Sequence, residues 1–267
     1  MNRIRARELA RSYLSQGEPT GWFDVLYVES RNDAMGIPWA DLAPNPNFLE
    51  WFEANTIEPK GREAIVVGCG LGDDAEFLSD ASFKVTAFDI SPEAVRWCQR
   101  RFPSSRVSYR TADLFKLPAG WRCRFDLIVE IYTLQVLPPT IRPQAMQAIV
   151  DLVASQGQLL VMTRGREEDE AEGEMPWPLT KKELSQFIRL NLEQETFDDY
   201  WDQEVPPVHR FRVAYRKSKG GIPRRSPRSV SVGPSEGPTK ERRTWPSSES
   251  LSHAIHGDRA FPSRKGR

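Results

Sequence analysis

The stretch of residues 63–89 constrains the fold more than any other part of the chain. It opens with an apolar run at 64–67 that is too short for a helix and rich in β-branched residues. Such a run is typical of a strand buried on both faces of a parallel sheet. Residues 74–78 can begin a helix, and residues 83–88 form a second predicted strand that ends at Asp89. Between the first strand and the helix, every second residue is a glycine, which permits a sharp turn and close approach of a ligand to the backbone. These glycines are Gly68, Gly70 and Gly72.

The spacing of the glycines indicates which ligand the turn receives. A dinucleotide fingerprint, Gly-x-Gly-x-x-Gly, needs a third glycine at position 73, which is Asp73. The third glycine instead stands one residue earlier, at Gly72. Asp89 follows Gly70 by about 20 residues, the separation at which an acidic residue reaches the ribose hydroxyls of a nucleotide in a β-α-β unit. This Gly-x-Gly-x-Gly turn with an acidic strand end resembles the class I S-adenosylmethionine-dependent methyltransferases.

Two further predicted strands end at residues suited to the same ligand. Asp113 follows a strand at 107–110, and Glu130 ends a strand at 125–130. Because ligands of an open α/β sheet lie outside the carboxyl ends of the strands, we expect these residues on one rim. The resemblance implies S-adenosyl-L-methionine as cofactor, with Asp113 near the adenine amino group, Leu114 on its ring and Glu130 near the methionine end. The expected cofactor-binding residues are Trp39, Gly68, Cys69, Gly70, Gly72, Asp89, Ile90, Asp113, Leu114, Glu130 and Ile131.

Residues 1–60 precede the first strand and are rich in aromatic side chains. We expect them to form a helical cover or lid over a cofactor-binding core at 61–216. Trp39 is the lid candidate, because it follows a rigid proline in a predicted loop. Aromatic ring faces attract a sulfonium cation and help to exclude water. The alternative is that these aromatic residues only cover one edge of the sheet.

The alternation of predicted strands and helices gives an α/β fold class. The resemblance implies a Rossmann-like, mostly parallel sheet of seven strands in the order 3-2-1-4-5-7-6, with helices on both faces. The fourth helix is expected to begin near Thr140 and to end before Gly157, which suits a left-handed position after a helix. Segments 192–201 and 210–215 are expected to supply the last two strands as a hairpin.

The substrate class is indicated less specifically than the cofactor. The aromatic cover, the Pro38-Trp39 element and a proline pair at 138–139 resemble the thiopurine methyltransferase-like group, whose members act on small thiols, thiocyanate or halides. That group often has Asp-Arg after strand four, whereas residues 130–132 here read Glu-Ile-Tyr. A thiolate or halide needs no base, but a hydroxyl or amine would, and Tyr132 or Glu130 is the nearest candidate. We expect Tyr132 to be the catalytic residue that faces the acceptor. The alternative is that Tyr132 is a partly exposed loop aromatic.

Composition separates a body from a tail. The formal net charge is zero, yet basic residues dominate after position 216 and acidic residues dominate before it. Residues 217–267 are rich in Ser, Pro, Gly and Arg and poor in apolar residues. We therefore expect a disordered basic tail. It either makes weak phosphate contacts with nucleic acid or is a solvated appendage without a role; no other nucleic-acid contact is expected.

The remaining features exclude several classes of protein. The three cysteines lack metal-ligand spacing, so we expect no metal and reduced thiols in a cytoplasmic protein. No apolar run approaches the ~18 residues that span a bilayer, so we expect no membrane partner. The sequence thus predicts a monomeric methyltransferase for a small molecule. The alternatives are a non-catalytic cofactor-binding sensor or scaffold, a methyltransferase for an oxygen or nitrogen acceptor, and a nicotinamide oxidoreductase, which the glycine spacing disfavours.

Overall fold

The computed structural model describes residues 2–219, so the predicted tail beyond 219 lies outside the described residues. Seven strands of this part form one sheet. They are β1 (Glu63–Val67), β2 (Lys84–Asp89), β3 (Ser108–Thr111), β4 (Phe125–Ile131), β5 (Val153–Arg164), β6 (Leu192–Trp201) and β7 (His209–Lys217). Their order is β3-β2-β1-β4-β5-β7-β6, which confirms the predicted order. Strands β1 to β5 pair in parallel, and β7 is antiparallel to both β5 and β6.

Helices cover both faces of this sheet, as predicted. They are α1 (Asn2–Ser15), α2 (Trp22–Ser30), α3 (Pro46–Ala54), α4 (Asp73–Asp80), α5 (Pro92–Arg101), α6 (Arg142–Leu152), α7 (Lys181–Leu184) and α8 (Gln186–Arg189). Short 3-10 turns lie at Ala34–Gly36, Leu114–Lys116, Ala119–Trp121 and Leu134–Val136. None of the helices at 2–219 is long and apolar enough to cross a bilayer.

Strand β1 lies between two apolar layers. Ile65 and Val67 belong to the cluster on one face of the sheet, and Ala64 and Val66 belong to the cluster on the other face. Successive side chains of a strand point to opposite faces, so a run of four apolar residues suits this central position. The burial of both faces fixes the strand register and holds the carboxyl ends of the parallel strands at one edge.

Helix α6, predicted as the fourth helix, differs from its predicted bounds. Helix α6 begins at Arg142, not next to Thr140, because Pro143 occupies its first turn, where a missing N–H costs no hydrogen bond. Gly157 does not end the helix, since the chain enters β5 directly at Val153. A Cβ at Gly157 would approach the Phe125 carbonyl oxygen to 2.8 Å. This glycine therefore permits close packing of β5 on β4.

The N-terminal helices supply a third apolar cluster. Trp22, Leu26 and Tyr27 of α2 are almost completely buried, and Trp97 of α5 joins them in this cluster. Helix α3 begins with an Asn45 cap, whose side chain accepts hydrogen bonds from the next turn. These helices pack on the body of the fold, as a cover would. Opening of this cover as a lid stays a prediction.

Candidate active site

A cavity of about 1070 Å³ lies at the carboxyl ends of the parallel strands. Its volume is at the upper end of the range for small-molecule sites, which leaves room for a nucleoside cofactor and a small acceptor. The structure brings nearly all of the predicted site residues to the lining of this one cavity. Those in the lining are Trp39, Gly68, Cys69, Gly70, Gly72, Asp89, Ile90, Asp113, Leu114, Ile131 and Tyr132.

The glycine turn between β1 and α4 requires glycine for two separate reasons. Gly68, Gly70 and Gly72 have φ values of 60°, 53° and 92°, in the left-handed region that other residues rarely adopt. A Cβ at Gly68 would also overlap the hydroxyl oxygen of Thr133, whereas one at Gly70 would stay 3.5 Å from its nearest neighbour. At Gly70, which lines the cavity, a Cβ would thus be in ordinary van der Waals contact with Tyr27 and Trp39, so glycine is required there by the backbone conformation alone.

Asp89 ends β2 inside the cavity and is tied to the glycine turn. One carboxylate oxygen accepts the Gly70 N–H at 3.0 Å, and the other accepts the Ser91 N–H at 2.9 Å. Burial raises its pKa to about 6, and these backbone donors act in the opposite direction. A carboxylate has about four lone-pair sites, so Asp89 can also accept bonds from ligand hydroxyls.

Asp113 and Leu114 lie together where β3 ends. The Asp113 carboxylate accepts the Phe115 N–H at 2.9 Å and so caps the 3-10 turn that follows. Leu114 is buried, with 7% of its surface exposed, and contributes an apolar wall to the cavity. Asp113 therefore has a local structural role that does not depend on a ligand, and its contact with adenine stays a prediction.

Glu130 differs from expectation, because it is fully buried and lies outside the cavity lining. One carboxylate oxygen accepts the N–H groups of Thr133 and Leu134 at 2.7 and 2.9 Å. The other oxygen is buried and meets no hydrogen-bond donor within the described chain. Burial raises the pKa of Glu130 to about 7. Its side chain therefore shapes the turn after β4 instead of facing the cavity.

Tyr132 lines the cavity in a strained backbone conformation. Its φ is 64°, which is unfavourable for a bulky residue and is held by the surrounding structure. The guanidinium of Arg210 lies over the ring, 4.5 Å from its centroid. Burial raises the pKa of the phenol, and the nearby Arg210 charge opposes the shift. Tyr132 is thus a protonated hydrogen-bond donor at neutral pH.

Trp39 is part of an aromatic wall on the N-terminal side. Its ring N–H donates to the Tyr27 hydroxyl at 2.8 Å. The rings of Trp22 and Phe23 meet Trp39 edge-on at centroid distances of 6.2 and 6.4 Å. Trp39 therefore has a fixed orientation in this structure.

Sequence reasoning missed the cationic part of the cavity, formed by Arg164 at the end of β5 and Arg210 near the start of β7. It also missed the segment of residues 200–205, which closes the cavity between β6 and β7. Arg164 could have been found, because it ends β5 two residues after the apolar run at 159–162, much as Asp89 ends β2 after an apolar pair. No comparable signal marks the 200–205 segment.

One group within residues 2–219 has the composition of a metal site. Single ligand atoms of Glu167, Asp199 and His209 lie within 4.8 Å of one another. Asp199 already pairs with Lys181 and with His209, both at 2.6 Å. Because Lys181 supplies the balancing charge, we interpret this group as an exposed ion-pair network and not as a metal site.

The comparisons with known proteins agree with this geometry. Residues 64–157 match the family described as a methyltransferase domain. The chain is 32% identical over 137 residues to a ubiquinone biosynthesis O-methyltransferase of Xanthomonas axonopodis, covering 50% of this chain and 56% of that protein. It is 27% identical over 131 residues to thiocyanate methyltransferase 1 of Arabidopsis thaliana, covering 47% and 55%. The chain thus spans about half the length of the curated relatives it matches.

A solved structure shares the fold. The N-methyltransferase NodS of Bradyrhizobium japonicum superposes with a TM-score of 0.57 at 20% identity, over 73% of this chain and 97% of that one. The sheet order and the methyltransferase domain matched at residues 64–157 agree with the fold expected of a class I S-adenosylmethionine-dependent methyltransferase. The finer resemblance to the thiopurine methyltransferase-like group is not confirmed.

Proposed function

We propose that this chain is an S-adenosyl-L-methionine-dependent methyltransferase that acts on a small molecule. The observation that carries the proposal is the convergence of the strand ends on one cavity. The glycine turn after β1, Asp89 of β2, Asp113 after β3 and Ile131 of β4 all line it. Ligands of such sheets bind at this edge, where the strand order reverses.

The residues at this edge fit the cofactor. The left-handed turn at Gly70 lies in the cavity lining, and the buried Asp89 carboxylate suits the two ribose hydroxyls. Asp113 and Leu114 would hold the adenine, and the aromatic wall at Trp39 would face the sulfonium. When bound, the cofactor supplies an electrophilic methyl group on sulfur.

The protein's contribution to the reaction is alignment and exclusion of water. Holding an acceptor in line with the methyl group, at roughly 3 Å, can supply ~7–11 kcal/mol of the barrier. Tyr132 would face the acceptor and donate a hydrogen bond, because its raised pKa keeps the phenol protonated. A thiolate or halide acceptor would need no base, since it is already a nucleophile.

The acceptor we favour is a small thiol, thiocyanate or a halide. The partial match to a thiocyanate methyltransferase supports this class. An oxygen acceptor is the second candidate, because a ubiquinone O-methyltransferase matches with slightly higher identity. A non-catalytic cofactor-binding protein is the third. The cytoplasmic location, the monomeric state and any role of the tail in weak nucleic-acid contacts stay predictions.

Two measurements on the full chain test the proposal. Calorimetry with S-adenosyl-L-methionine measures cofactor binding, and labelled cofactor measures transfer to a panel of thiols, thiocyanate, halides, phenols and carboxylic acids. We expect binding together with transfer to at least one thiol or small anion. Binding without transfer would favour the sensor or scaffold alternative. If no binding occurs, and NADH binds instead, the oxidoreductase alternative would replace the proposal.

A further inference from the structure

Within residues 2–219, the guanidinium of Arg164 forms no ion pair. Its backbone is well fixed, because its N–H donates to the Gln135 side chain at 2.7 Å and its carbonyl accepts the Leu179 N–H at 2.9 Å. The side chain lines the cavity and is partly buried. Within residues 2–219, no carboxylate forms an ion pair with its guanidinium. An arginine stays protonated in proteins, so Arg164 brings a positive charge to this end of the cavity, where Glu204 is a nearby acidic group that favours its charged form.

The neighbouring Arg210 differs in this respect. Arg210 stands directly opposite Arg164 in the register of β7 against β5. Its guanidinium donates to Asp202 at 2.7 Å and to Glu204 at 2.5 Å. The two carboxylates thus pair with Arg210, whereas no carboxylate within residues 2–219 forms an ion pair with Arg164. Burial and the nearby charge of Arg210 lower the pKa of Arg164, and Glu204 opposes this shift only in part, so the charged form of Arg164 is held at a cost to the fold.

The position of Arg164 separates it from the predicted ribose site. Three strand spacings of about 4.8 Å, or roughly 14 Å, lie between β2, which ends at Asp89, and β5, which ends at Arg164. Strand β4 lies next to β5, and Tyr132 at its end donates its backbone N–H to Met162 of β5 at 3.0 Å. Arg164 is therefore on the side of the cavity where Tyr132 would face the acceptor.

We propose that Arg164 binds a carboxylate of the methyl acceptor, so that the substrate is a small carboxylic acid methylated at another atom. This inference rests on the proposed function. A guanidinium presents a planar pair of donors that matches a carboxylate in two parallel hydrogen bonds. Those bonds engage the carboxylate lone pairs, which makes these oxygens poor nucleophiles. The methyl group is therefore transferred to a second group of the acceptor.

The transfer step balances with a thiolate as that second group. The thiolate sulfur forms a bond to the methyl carbon as the bond from carbon to the cofactor sulfur breaks. The bonding electron pair stays on the cofactor, whose sulfonium becomes a neutral thioether. The acceptor becomes a methyl thioether and keeps its carboxylate on Arg164. No oxidant, reductant or added base is required.

Matched acceptors test the inference in the full chain. 2-Mercaptobenzoate is thiophenol with an added carboxylate, and 3-mercaptopropionate carries a carboxylate where 1-propanethiol carries a methyl group. A charge-assisted hydrogen bond contributes about 1.5–3 kcal/mol, so we expect kcat/KM to be about 10- to 150-fold higher for the acid of a preferred pair. Arg164→Met should abolish this preference with little effect on the uncharged thiol. Arg164→Lys should restore part of it, and Arg189→Met, at an exposed arginine outside the cavity lining, should leave it unchanged.

Two readouts do not depend on turnover. Benzoate should bind the wild type in the presence of S-adenosylhomocysteine, and at least tenfold more weakly to Arg164→Met, by calorimetry. Arg164→Met should melt at the same or a higher temperature than wild type, because it removes the repulsion with Arg210. Benzoate binding that depends on Arg164 would support the inference even if no acceptor were methylated, an outcome that would contradict only the proposed function.

Several results would overturn the inference while leaving the proposed function intact. One is methyl transfer at equal rates to the acid and the uncharged thiol of both pairs. Another is an Arg164→Met variant that loses affinity for S-adenosyl-L-methionine instead of acceptor preference, which would assign Arg164 to the methionine carboxylate. A third is a melting temperature lowered by several degrees, which would make Arg164 a structural residue.

Discussion

The carboxylate of Asp89 accepts the backbone N–H of Gly70 at 3.0 Å and so joins the end of β2 to the turn that follows β1. The same side chain caps the segment that leads into α5 through the Ser91 N–H. One residue thus fixes the glycine turn and presents a carboxylate to the cavity. The hydrogen bond to Gly70 fixes the glycine turn next to this carboxylate. The two parts of the proposed cofactor site, the Asp89 carboxylate and the glycine turn, are therefore coupled.

Asp89→Asn should weaken the binding of S-adenosyl-L-methionine by about 10- to 100-fold. The variant keeps the size of the side chain but loses the charge that strengthens hydrogen bonds from ribose hydroxyls, which contribute about 1.5–3 kcal/mol. Titration calorimetry measures the change in Kd. Asp80→Asn, at the exposed end of α4, is the matched control and should bind normally. Equal affinities for Asp89→Asn and wild type would remove Asp89 from the site.

The affinity for the cofactor should also depend on pH. Burial raises the pKa of Asp89 to about 6 in the free protein, so protonation removes the hydroxyl-accepting carboxylate as the pH falls below that value. Binding should weaken by up to about tenfold per pH unit below pH 6 and be constant above pH 7. Calorimetry at a series of pH values measures this, and Asp89→Asn should show a flatter profile. A parallel decline in both proteins would assign the effect to another group.

Gly68→Ala should destabilise the protein more than Gly70→Ala. Both substitutions place a Cβ at a positive φ, which costs roughly 1–2 kcal/mol, but only Gly68 has the Thr133 hydroxyl in the way. Thr133→Ala should therefore recover part of the loss in a Gly68→Ala background. Chemical denaturation of the four single and double variants gives the coupling free energy. Additive effects would show that Thr133 is not the obstacle.

The parts of the site that sequence predicted share a simple physical basis. A buried parallel strand is apolar in its middle, so a glycine or acid directly after the apolar residues is conspicuous, as at Gly68 and Asp89. Strand β3 is partly exposed and polar, so Asp113 stands out only by its place in the series of strand ends. The order of the strands then places these ends together. That reasoning needs only the chain pattern and the general rule for ligands of α/β sheets.

The parts that sequence did not predict depend on tertiary contacts. Glu130 is an acid next to the last residue of β4, yet its carboxylate accepts hydrogen bonds from the N–H groups of Thr133 and Leu134. A glycine in the position of Gly157 is typical of a residue that follows a helix. The contact that requires this glycine is instead with the carbonyl oxygen of Phe125, which is far away in the sequence. That Arg164 forms no ion pair within the described residues emerges only when β5, β7 and the segment between β6 and β7 are assembled.

Tyr132→Phe should lower kcat/KM by about 3- to 10-fold with a thiol acceptor. The ring and its contact with Arg210 are retained, so the loss is that of one hydrogen bond, about 0.5–1.5 kcal/mol. Assays with labelled cofactor measure it, and Tyr13→Phe in α1, outside the cavity lining, is the control. Unchanged activity would exclude the hydroxyl from the mechanism. A loss above 1000-fold would instead indicate that Tyr132 takes a proton from an oxygen or nitrogen acceptor.

Glu130→Gln should stabilise the protein at alkaline pH. Burial raises the folded-state pKa of Glu130 from 4.5 to about 7, so the folded protein binds this proton more tightly than the unfolded chain. Wild-type stability should therefore fall as the pH rises from about 4.5 to 7 and stay low above that range. Glutamine resembles the protonated acid, because it retains an acceptor for Thr133 and Leu134 without the buried charge.

The gain above pH 7 should approach 3 kcal/mol if the whole pKa shift is expressed, and it should vanish below about pH 4.5. Urea denaturation across this pH range measures the free energy of unfolding of both proteins. Part of the wild-type slope should persist in the variant, because burial also raises the pKa values of Asp74 and Asp89 to about 6. Superimposable curves for the two proteins would show that Glu130 titrates normally and that its buried oxygen finds a donor in solution.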